Sequence, residues 1–164
     1  MEKSSASATR GFVDRIAICM DFDRTLSEGS FEKLLARLGV EDSQRWRKEQ
    51  LQPMMDDGWD EILAKGAQLV DLAEAQGVEI TRDLVKEVGR SLEPFPGVAE
   101  ILPALRRLGE EASGGADVRL YVVSSGFVDI ICESPIAGLF DDILGSSMHF
   151  GEDGRLQTIK RTLI

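Results

Sequence analysis

The sequence has few of the residues that build several common kinds of functional site. Its single histidine, His149, makes a histidine-based zinc site or a Ser-His-Asp triad hard to assemble. Its two cysteines, Cys19 and Cys132, are too few for a disulfide framework, and both stand in apolar surroundings. We therefore predict two buried, reduced thiols, which suit a reducing compartment.

Long apolar runs and an excess of positive charge are missing as well. No run reaches the roughly 18 apolar residues that span a bilayer, so we expect no membrane span. Lys and Arg total 19 against 29 Asp and Glu, which gives a net charge of −10. An acidic chain repels nucleic acid, and the one basic cluster, residues 45–48, is interpreted as a solvated helix face. We predict no nucleic-acid partner.

The composition is that of an ordinary globular protein. The chain has 164 residues, of which 43% are apolar and 29% charged. That length suffices for one domain with a real core, or a core with an insert. Residues 1–12 are rich in Ser and Ala and lack the apolar stretch of a secretory signal, so we predict a flexible tail on a cytoplasmic protein.

Apolar runs at 15–20 and 118–123 predict strands that are covered on both faces, and residues 143–144 predict a short third strand. Residues 151–154 predict a turn between two short strands. Helical patterns lie between the main strands, and this order predicts an α/β fold with a parallel sheet. Residues 28–94 look helical and are too many for one crossover connection. We interpret them as a separate helical insert.

Polar residues with known local preferences predict where the helices of the insert begin and end. Ser30, Ser43 and Thr81 are expected to cap helices, and Pro53 to stop one. In the longest helix, Trp59 and Leu63 fall on the apolar face and are expected to point inward.

Two acidic residues, Asp21 and Asp23, directly follow the first predicted strand. In open parallel sheets, ligands bind beyond the carboxyl ends of the strands. Two carboxylates at a strand end repel each other, and a hard cation such as Mg²⁺ relieves that repulsion. One carboxylate could attack phosphorus while the other manages the leaving group's proton. The alternative is a solvated loop with helix-capping acids.

Residues 20–26, Met-Asp-Phe-Asp-Arg-Thr-Leu, closely resemble the first motif of the haloacid dehalogenase (HAD) superfamily of hydrolases. Residues 122–127 resemble its second motif, an apolar strand that ends in Ser or Thr. Residues 95–98 resemble the segment where such chains return from a cap inserted after the first motif. The resemblance covers about residues 13–160.

The resemblance implies a Rossmann-like, three-layer parallel sheet with an inserted α-helical cap. Residues 13–27 and 95–164 would form a discontinuous α/β core, and residues 28–94 would form the cap. The expected activity is Mg²⁺-dependent hydrolysis of a phosphomonoester, with a small phosphorylated metabolite as the substrate.

The resemblance also implies a role for each matching residue. Asp21 would be the nucleophile that forms an aspartyl-phosphate, and Asp23 would be the general acid and base. Both would hold Mg²⁺, Asp23 through its backbone carbonyl. Thr25 would orient the loop, and Ser124 would bind a phosphoryl oxygen or, on the competing interpretation, cap the next helix. The full set predicted to bind phosphate is Thr25, Ser124, Ser125, Gly126 and Lys160.

The sequence departs from the family's pattern at several positions. Arg24 replaces the Gly often found there. Lys160 is the only lysine after the second motif, so it is the only candidate for the family's third-motif lysine; an exposed surface lysine is the competing interpretation. No fourth motif, which would complete the metal site, is visible. Asp141 and Asp142 precede the third predicted strand, at its wrong end.

Without a fourth motif, the core is expected to be incomplete at its C-terminus. One flank of the first strand would then be missing, which would leave residues 16–20 as an exposed apolar edge. We therefore expect either poor solubility or self-association through that edge.

Three hypotheses follow for the function. The leading one is a HAD-like phosphatase or part of one, with dehalogenation and phosphonate cleavage as less favoured reactions. The second is a catalytically inactive HAD-like protein that binds a partner or ligand, and the third is an acidic structural module. Turnover in the presence of Mg²⁺ separates the first hypothesis from binding of Mg²⁺ without turnover.

Overall fold

The computed structural model describes residues 13–163, so the predicted tail over residues 1–12 lies outside the described part. Four strands form one sheet in the order β1-β2-β3-β4. They are β1 (Arg15–Met20), β2 (Asp117–Phe127), β3 (Asp142–Phe150) and β4 (Leu156–Arg161). The first three strands run parallel, and β4 returns antiparallel to β3. The predicted α/β fold with a largely parallel sheet is confirmed.

Helices fill most of the chain between the strands. Six α-helices lie between β1 and β2, and a seventh lies between β2 and β3. The helices are α1 (Ser30–Arg37), α2 (Ser43–Trp46), α3 (Gln52–Asp56), α4 (Glu61–Gln76), α5 (Arg82–Arg90), α6 (Val98–Ser113) and α7 (Val128–Ile131). A π-helical turn (Arg47–Leu51) joins α2 to α3, and a 3₁₀ turn (Ala137–Leu139) precedes β3. Among the described helices, none is long and apolar enough to cross a membrane.

Side chains cap the N-termini of α2, α4 and α5, and one of these caps differs from the prediction. Thr81 caps α5 as predicted, since its side chain accepts a hydrogen bond from the backbone N–H of Leu84. The cap of α2 is Asp42 rather than Ser43, because the Asp42 carboxylate accepts from the backbone of Arg45. Pro53 does not stop a helix. It lies in the first turn of α3, where a backbone N–H is not needed.

The sheet is buried on one face and open on the other. Along β2, Val118, Leu120 and Val122 are buried, whereas Arg119 and Val123 are exposed. The prediction that the apolar strands are covered on both faces is therefore wrong for the described chain. Apolar content alone cannot reveal which face is covered, because successive side chains of a strand point to opposite sides.

The same alternation explains an error about the cysteines. Both Cys19 and Cys132 are exposed, so the prediction of buried thiols is wrong. Cys19 lies in β1, where every second residue is exposed, and its neighbours Ile18 and Met20 are half-buried on the other side of the strand. An apolar sequence context did not translate into burial, because no described element packs over that side of β1.

Two glycines let helices approach their neighbours closely. Gly66 of α4 faces Ile159 of β4, and Gly89 of α5 faces the backbone carbonyl of Ile130 in α7. Because α7 directly follows β2, the contact of α5 with α7 connects α5 to the end of β2.

Trp59 and Leu63, predicted to point inward, are 47% and 42% exposed.

A series of ion pairs links α4 and the π-helical turn to α1 and to the loop after β1. Glu61 Oε1 lies 2.9 Å from Lys65 Nζ and 2.6 Å from Arg47 Nη2. Arg47 also lies 3.9 Å from Glu32, which pairs with Arg24. The ammonium of Lys65 and the guanidinium of Arg47 hold the pKa of Glu61 below its ordinary value.

Substitution of Gly89 by Ala tests the close contact of α5 with α7. An added Cβ would lie 2.3 Å from the carbonyl oxygen of Ile130 and 2.7 Å from Cβ of Glu133, so the helices must separate. We expect Gly89→Ala to lower the free energy of unfolding in urea by about 1–2 kcal/mol, despite the better helix propensity of Ala. Gly138→Ala is the matched control, because its Cβ meets nothing within 4 Å. Equal stability of both variants would contradict the close packing.

Substitution of Glu61 by Gln tests the ion-pair chain through its pH dependence. A carboxylate with a lowered pKa stabilises the folded state above its unfolded-state pKa, and this stabilisation is lost as the pH falls through the folded-state pKa. We expect Glu61→Gln to be less stable than the parent at pH 7. The difference should shrink once the pH falls below the ordinary value of 4.5. Urea unfolding between pH 7 and pH 3 measures it, and a difference that is constant with pH would contradict the ionic origin.

Candidate active site

The acidic residues after β1 and the serine of β2 lie at the same edge of the sheet. Met20, the last residue of β1, pairs in parallel with Val122 of β2. Asp21 and Asp23 therefore follow the carboxyl end of β1, and Ser124 lies two residues beyond Val122, the last β2 residue that pairs with β1. This is the edge at which open parallel sheets bind their ligands.

A tight loop turns the chain back directly after β1. The carbonyl oxygen of Phe22 accepts hydrogen bonds from the backbone N–H groups of Thr25, Leu26 and Ser27. Phe22 itself is fully buried and anchors the loop in the core. Arg24 has a positive φ of 62°, which costs a residue with a side chain about 1 kcal/mol. Glycine adopts this backbone conformation freely, which accounts for the Gly often present at this position in the resembled motif.

The carboxylate of Asp23 is held by the first residue of α1. The backbone N–H of Ser30 donates to Asp23 Oδ1 at 2.6 Å, and the hydroxyl of Ser30 donates to Oδ2 at 3.0 Å. Burial raises the pKa of Asp23 and the nearby charges of Glu32 and Asp21 add to the increase, while the two hydrogen bonds from Ser30 oppose it. The net direction is upward, which favours a carboxyl group that can hold and release a proton.

Asp23 and Ser124 meet at Gly126. A Cβ added to Gly126 would lie 2.5 Å from Asp23 Oδ2 and 3.2 Å from Ser124 Oγ, so only glycine permits this approach. The hydroxyl of Ser124 is buried and accepts a hydrogen bond from the backbone N–H of Gly126 at 3.1 Å. The structure thus brings three of the predicted site residues together around one backbone position.

The other site residues predicted from the first two motifs lie at the protein surface. Asp21 is exposed, and the hydroxyl of Thr25 donates to Asp21 Oδ2 at 3.3 Å. Thr25 and Ser125 are exposed as well. Asp21 is therefore open to a ligand, whereas Asp23 is half-buried behind it.

The structure places Lys160 on β4, with its side chain exposed. Among the described residues, no hydrogen bond or ion pair joins it to Asp21, Asp23 or Ser124. Its neighbour Arg161 donates to the carbonyl oxygen of Gly145 at 3.4 Å. Gly145 packs against the backbone of Ser124 and Gly126, so Arg161 lies near the end of β2. The sequence analysis did not identify this cation.

The described residues bring Asp21 and Asp23 to the end of β1, with Glu32 of α1 near enough to raise the pKa of Asp23. Within residues 13–163, no group of three or more His, Cys, Asp or Glu could hold a metal ion. Magnesium is commonly bound by one or two carboxylates together with water and substrate phosphate, so Asp21 and Asp23 fit that chemistry. Asp141 lies elsewhere, where it pairs with Arg106 and Arg119.

Ser30 is the residue of the site that the sequence analysis misassigned. It was predicted to cap α1, but the cap position is Gly29, and Ser30 binds Asp23 instead. A serine that precedes an apolar helix fits both roles, so no local signal distinguishes them.

The residue after Ser30, Phe31, packs against Phe127, with the two ring centroids 6.3 Å apart. The ammonium nitrogen of Lys65 lies over the Phe31 ring, 5.1 Å from its centroid.

Comparison with solved structures identifies proteins with the same fold. A HAD family hydrolase from Salmonella enterica serovar Typhi superposes with a TM-score of 0.61 at 15% identity, covering 88% of this chain and 44% of the other. A phosphoserine phosphatase, determined as an analogue of its phospho-aspartyl intermediate, gives a TM-score of 0.59 at 21% identity, covering 87% and 61%. A probable phosphoserine phosphatase from Vibrio cholerae gives 0.56 at 14%, covering 93% and 44%.

The chain spans 44–61% of the length of these structures. No family model and no curated protein sequence matches it. The parallel order of β1, β2 and β3, the helices between them and the superposition on these structures agree. The described chain has the Rossmann-like fold of HAD-family hydrolases.

Proposed function

We propose that this chain is a HAD-type phosphomonoesterase, or part of one. The observation that carries the proposal is the convergence of Asp23 and Ser124 at Gly126, with the exposed carboxylate of Asp21 close enough to Asp23 to raise its pKa. The raised pKa of Asp23 supports its assignment as the general acid and base. One of the structures with this fold is a phosphoserine phosphatase in a phospho-aspartyl form, which supports a carboxylate nucleophile.

In the first half of the proposed reaction, a carboxylate oxygen of Asp21 attacks the phosphorus of the bound phosphomonoester. The bond between phosphorus and the ester oxygen breaks, and the leaving alkoxide takes a proton from the carboxyl group of Asp23. The products of this half are an alcohol and an aspartyl-phosphate on Asp21. The exposure of Asp21 suits this role, because its carboxylate must reach the substrate.

In the second half, the Asp23 carboxylate takes a proton from a water molecule as the water oxygen attacks the aspartyl-phosphate at phosphorus. The bond between phosphorus and Asp21 breaks, which releases inorganic phosphate and restores the Asp21 carboxylate. Asp23 thus ends the cycle protonated, ready for the next leaving group. Hydrogen bonds from Ser30 keep the Asp23 carboxylate in place while it gains and loses its proton.

The phosphoryl group would be bound at the ends of β1 and β2. The hydroxyls of Thr25, Ser124 and Ser125 and the backbone of Gly126 are the proposed donors, and Lys160 is the proposed cation. Asp21 and Asp23 would hold Mg²⁺, which supplies positive charge to the phosphoryl oxygens. The proposed substrate is a small phosphorylated metabolite, and the cytoplasmic location stays a prediction.

Helices α1–α5 are proposed to act as a cap, formed by residues 28–94, over a core of residues 13–27 and 95–164. The contacts of Ser30 with Asp23 and of Phe31 with Phe127 bring the start of this segment to the site. Within residues 13–163 no group of three or more potential metal ligands is found, and this favours one alternative, a HAD-like protein that binds a ligand without turnover.

The proposal predicts Mg²⁺-dependent release of phosphate from an aryl phosphate by the purified chain. We expect Asp21→Asn to lower this rate by more than about 10³-fold, because the amide is a poor nucleophile, and Asp23→Asn by about 10²- to 10⁴-fold. Mass spectrometry of the quenched reaction should detect phosphate on the peptide that contains Asp21. A chelator should abolish turnover.

Asp14→Asn is the matched control for this experiment. It makes the same chemical change in an exposed residue next to the opposite end of β1, so the rate should stay within about twofold of the parent. Binding of Mg²⁺ by a folded chain that releases no phosphate would favour the non-catalytic alternative. Turnover that survives Asp21→Asn would exclude Asp21 as the nucleophile.

A further inference from the structure

A cleft lies between α5, α7 and the end of β3. The two helices are in contact where Gly89 faces the backbone carbonyl of Ile130. One to two turns nearer the N-terminus of α5, they and Phe150 line a cleft of about 320 Å³. This volume is at the lower end of the range for small-molecule sites, so the cleft suits a small ligand. None of the described residues that line it is proposed for catalysis or phosphate binding, so a ligand here does not depend on the proposed function.

One wall of the cleft carries two cations. Arg82 and Lys86 are four residues apart on α5, so they lie on the same side of that helix. The guanidinium carbon of Arg82 lies 4.6 Å from the centroid of the Phe150 ring. A guanidinium that stacks on a ring keeps the N–H donors at its edge free. Within residues 13–163, the side chains of Arg82 and Lys86 form no hydrogen bond or ion pair, so both are available to an anionic group.

The opposite wall carries two acids. Asp129 of α7 and Glu133, which follows α7, are also four residues apart. The backbone N–H of Met148 donates to Asp129 Oδ2 at 2.8 Å, and Arg90 Nη2 lies 3.0 Å from Glu133 Oε2. Within the described chain, the two cations that line the cleft form no ion pair with either acid. The opposite charges therefore stay more than 4.0 Å apart across the cleft.

The space between the charged walls is apolar. Val85 of α5 is buried and Val128 of α7 is half-buried, and both line the cleft together with Phe150. We propose that the cleft binds a free amino acid with an apolar side chain. The carboxylate of the ligand lies at the two cations of α5 and its ammonium group at Asp129. Its side chain packs against the apolar lining.

The arrangement of charge selects a ligand that carries both signs. A carboxylate alone would be attracted by the cations of α5 but repelled by Asp129 and Glu133, and an amine alone would meet the reverse. An uncharged apolar molecule would take charged groups out of water without pairing them, which is costly. An amino acid carries one charge of each sign close together, so it pairs with both walls at once.

Calorimetric titration of the purified protein with L-phenylalanine tests the site, and it does not require activity. We expect saturable binding with a Kd of about 1 mM or tighter. 3-Phenylpropionate lacks the amine and phenethylamine lacks the carboxylate, so each should bind at least about tenfold more weakly. L-Alanine keeps both charges but has little apolar surface, and it should bind at least about tenfold more weakly as well. No saturable binding up to about 10 mM, or equal binding of L-phenylalanine and any of these analogues, would overturn the proposal.

Protection of a cysteine locates the ligand. Cys132 lines the cleft, whereas Cys19 lies in β1, and both are exposed. The protein is alkylated with iodoacetamide, which is uncharged, at mildly alkaline pH, and mass spectrometry measures the rate at each cysteine. Saturating L-phenylalanine should slow the alkylation of Cys132 and leave that of Cys19 unchanged. Binding that leaves Cys132 unprotected would place the ligand elsewhere and overturn the proposal.

Two charge variants test the two walls separately. Lys86→Gln should weaken L-phenylalanine about tenfold and strengthen phenethylamine, because it removes a repulsion of the amine. Asp129→Asn should weaken L-phenylalanine about tenfold and strengthen 3-phenylpropionate, and its amide oxygen can still accept from the backbone of Met148. Because each variant gains affinity for one analogue, unfolding cannot account for the losses.

Lys48→Gln and Asp57→Asn are the matched controls. They make the same chemical changes at exposed positions that do not line the cleft, so every affinity should stay within about twofold of the parent. Losses of equal size in these controls would overturn the proposal. So would a variant of either wall that binds L-phenylalanine as tightly as the parent.

Discussion

A half-buried carboxylate, that of Asp23, joins the sheet to the helices that follow it. Both of its oxygens accept hydrogen bonds from Ser30, the first residue of α1, while Gly126 of β2 packs against one of them. A buried carboxylate without such partners would be costly, so the position of α1 depends on this contact. The loop after β1, the end of β2 and the start of α1 are therefore held around a single acidic group.

This arrangement accounts for the distribution of small residues at the site. Ser30 and Ser124 provide short hydroxyl groups, and Gly126 leaves room for the Asp23 carboxylate. A larger residue at position 126 would displace either the acid or Ser124. The larger side chains next to Ser30 and Gly126, Phe31 and Phe127, pack against each other.

The sequence patterns predicted strands, a helix cap and a turn, because these features depend on residues that are close together in the chain. The apolar runs at 15–20 and 118–123 formed strands, Thr81 capped its helix, and the turn at 151–154 joined β3 to β4. The burial of these strands was not predictable, since the same residues form a strand covered on one face or on both. Ser30 was misassigned for a related reason: a serine before an apolar helix satisfies a capping role and a contact with Asp23 equally well.

The amino-acid sequence by itself determined the order of strands and helices, the acids at the end of β1 and the family resemblance of its first two motifs. These features depend on residues that are neighbours in the chain. The tertiary structure decided which side of each strand is covered, that Cys19 is exposed, and that Ser30, Asp23 and Gly126 meet. Those contacts join residues up to about a hundred positions apart, and they follow from how the helices pack on one face of the sheet.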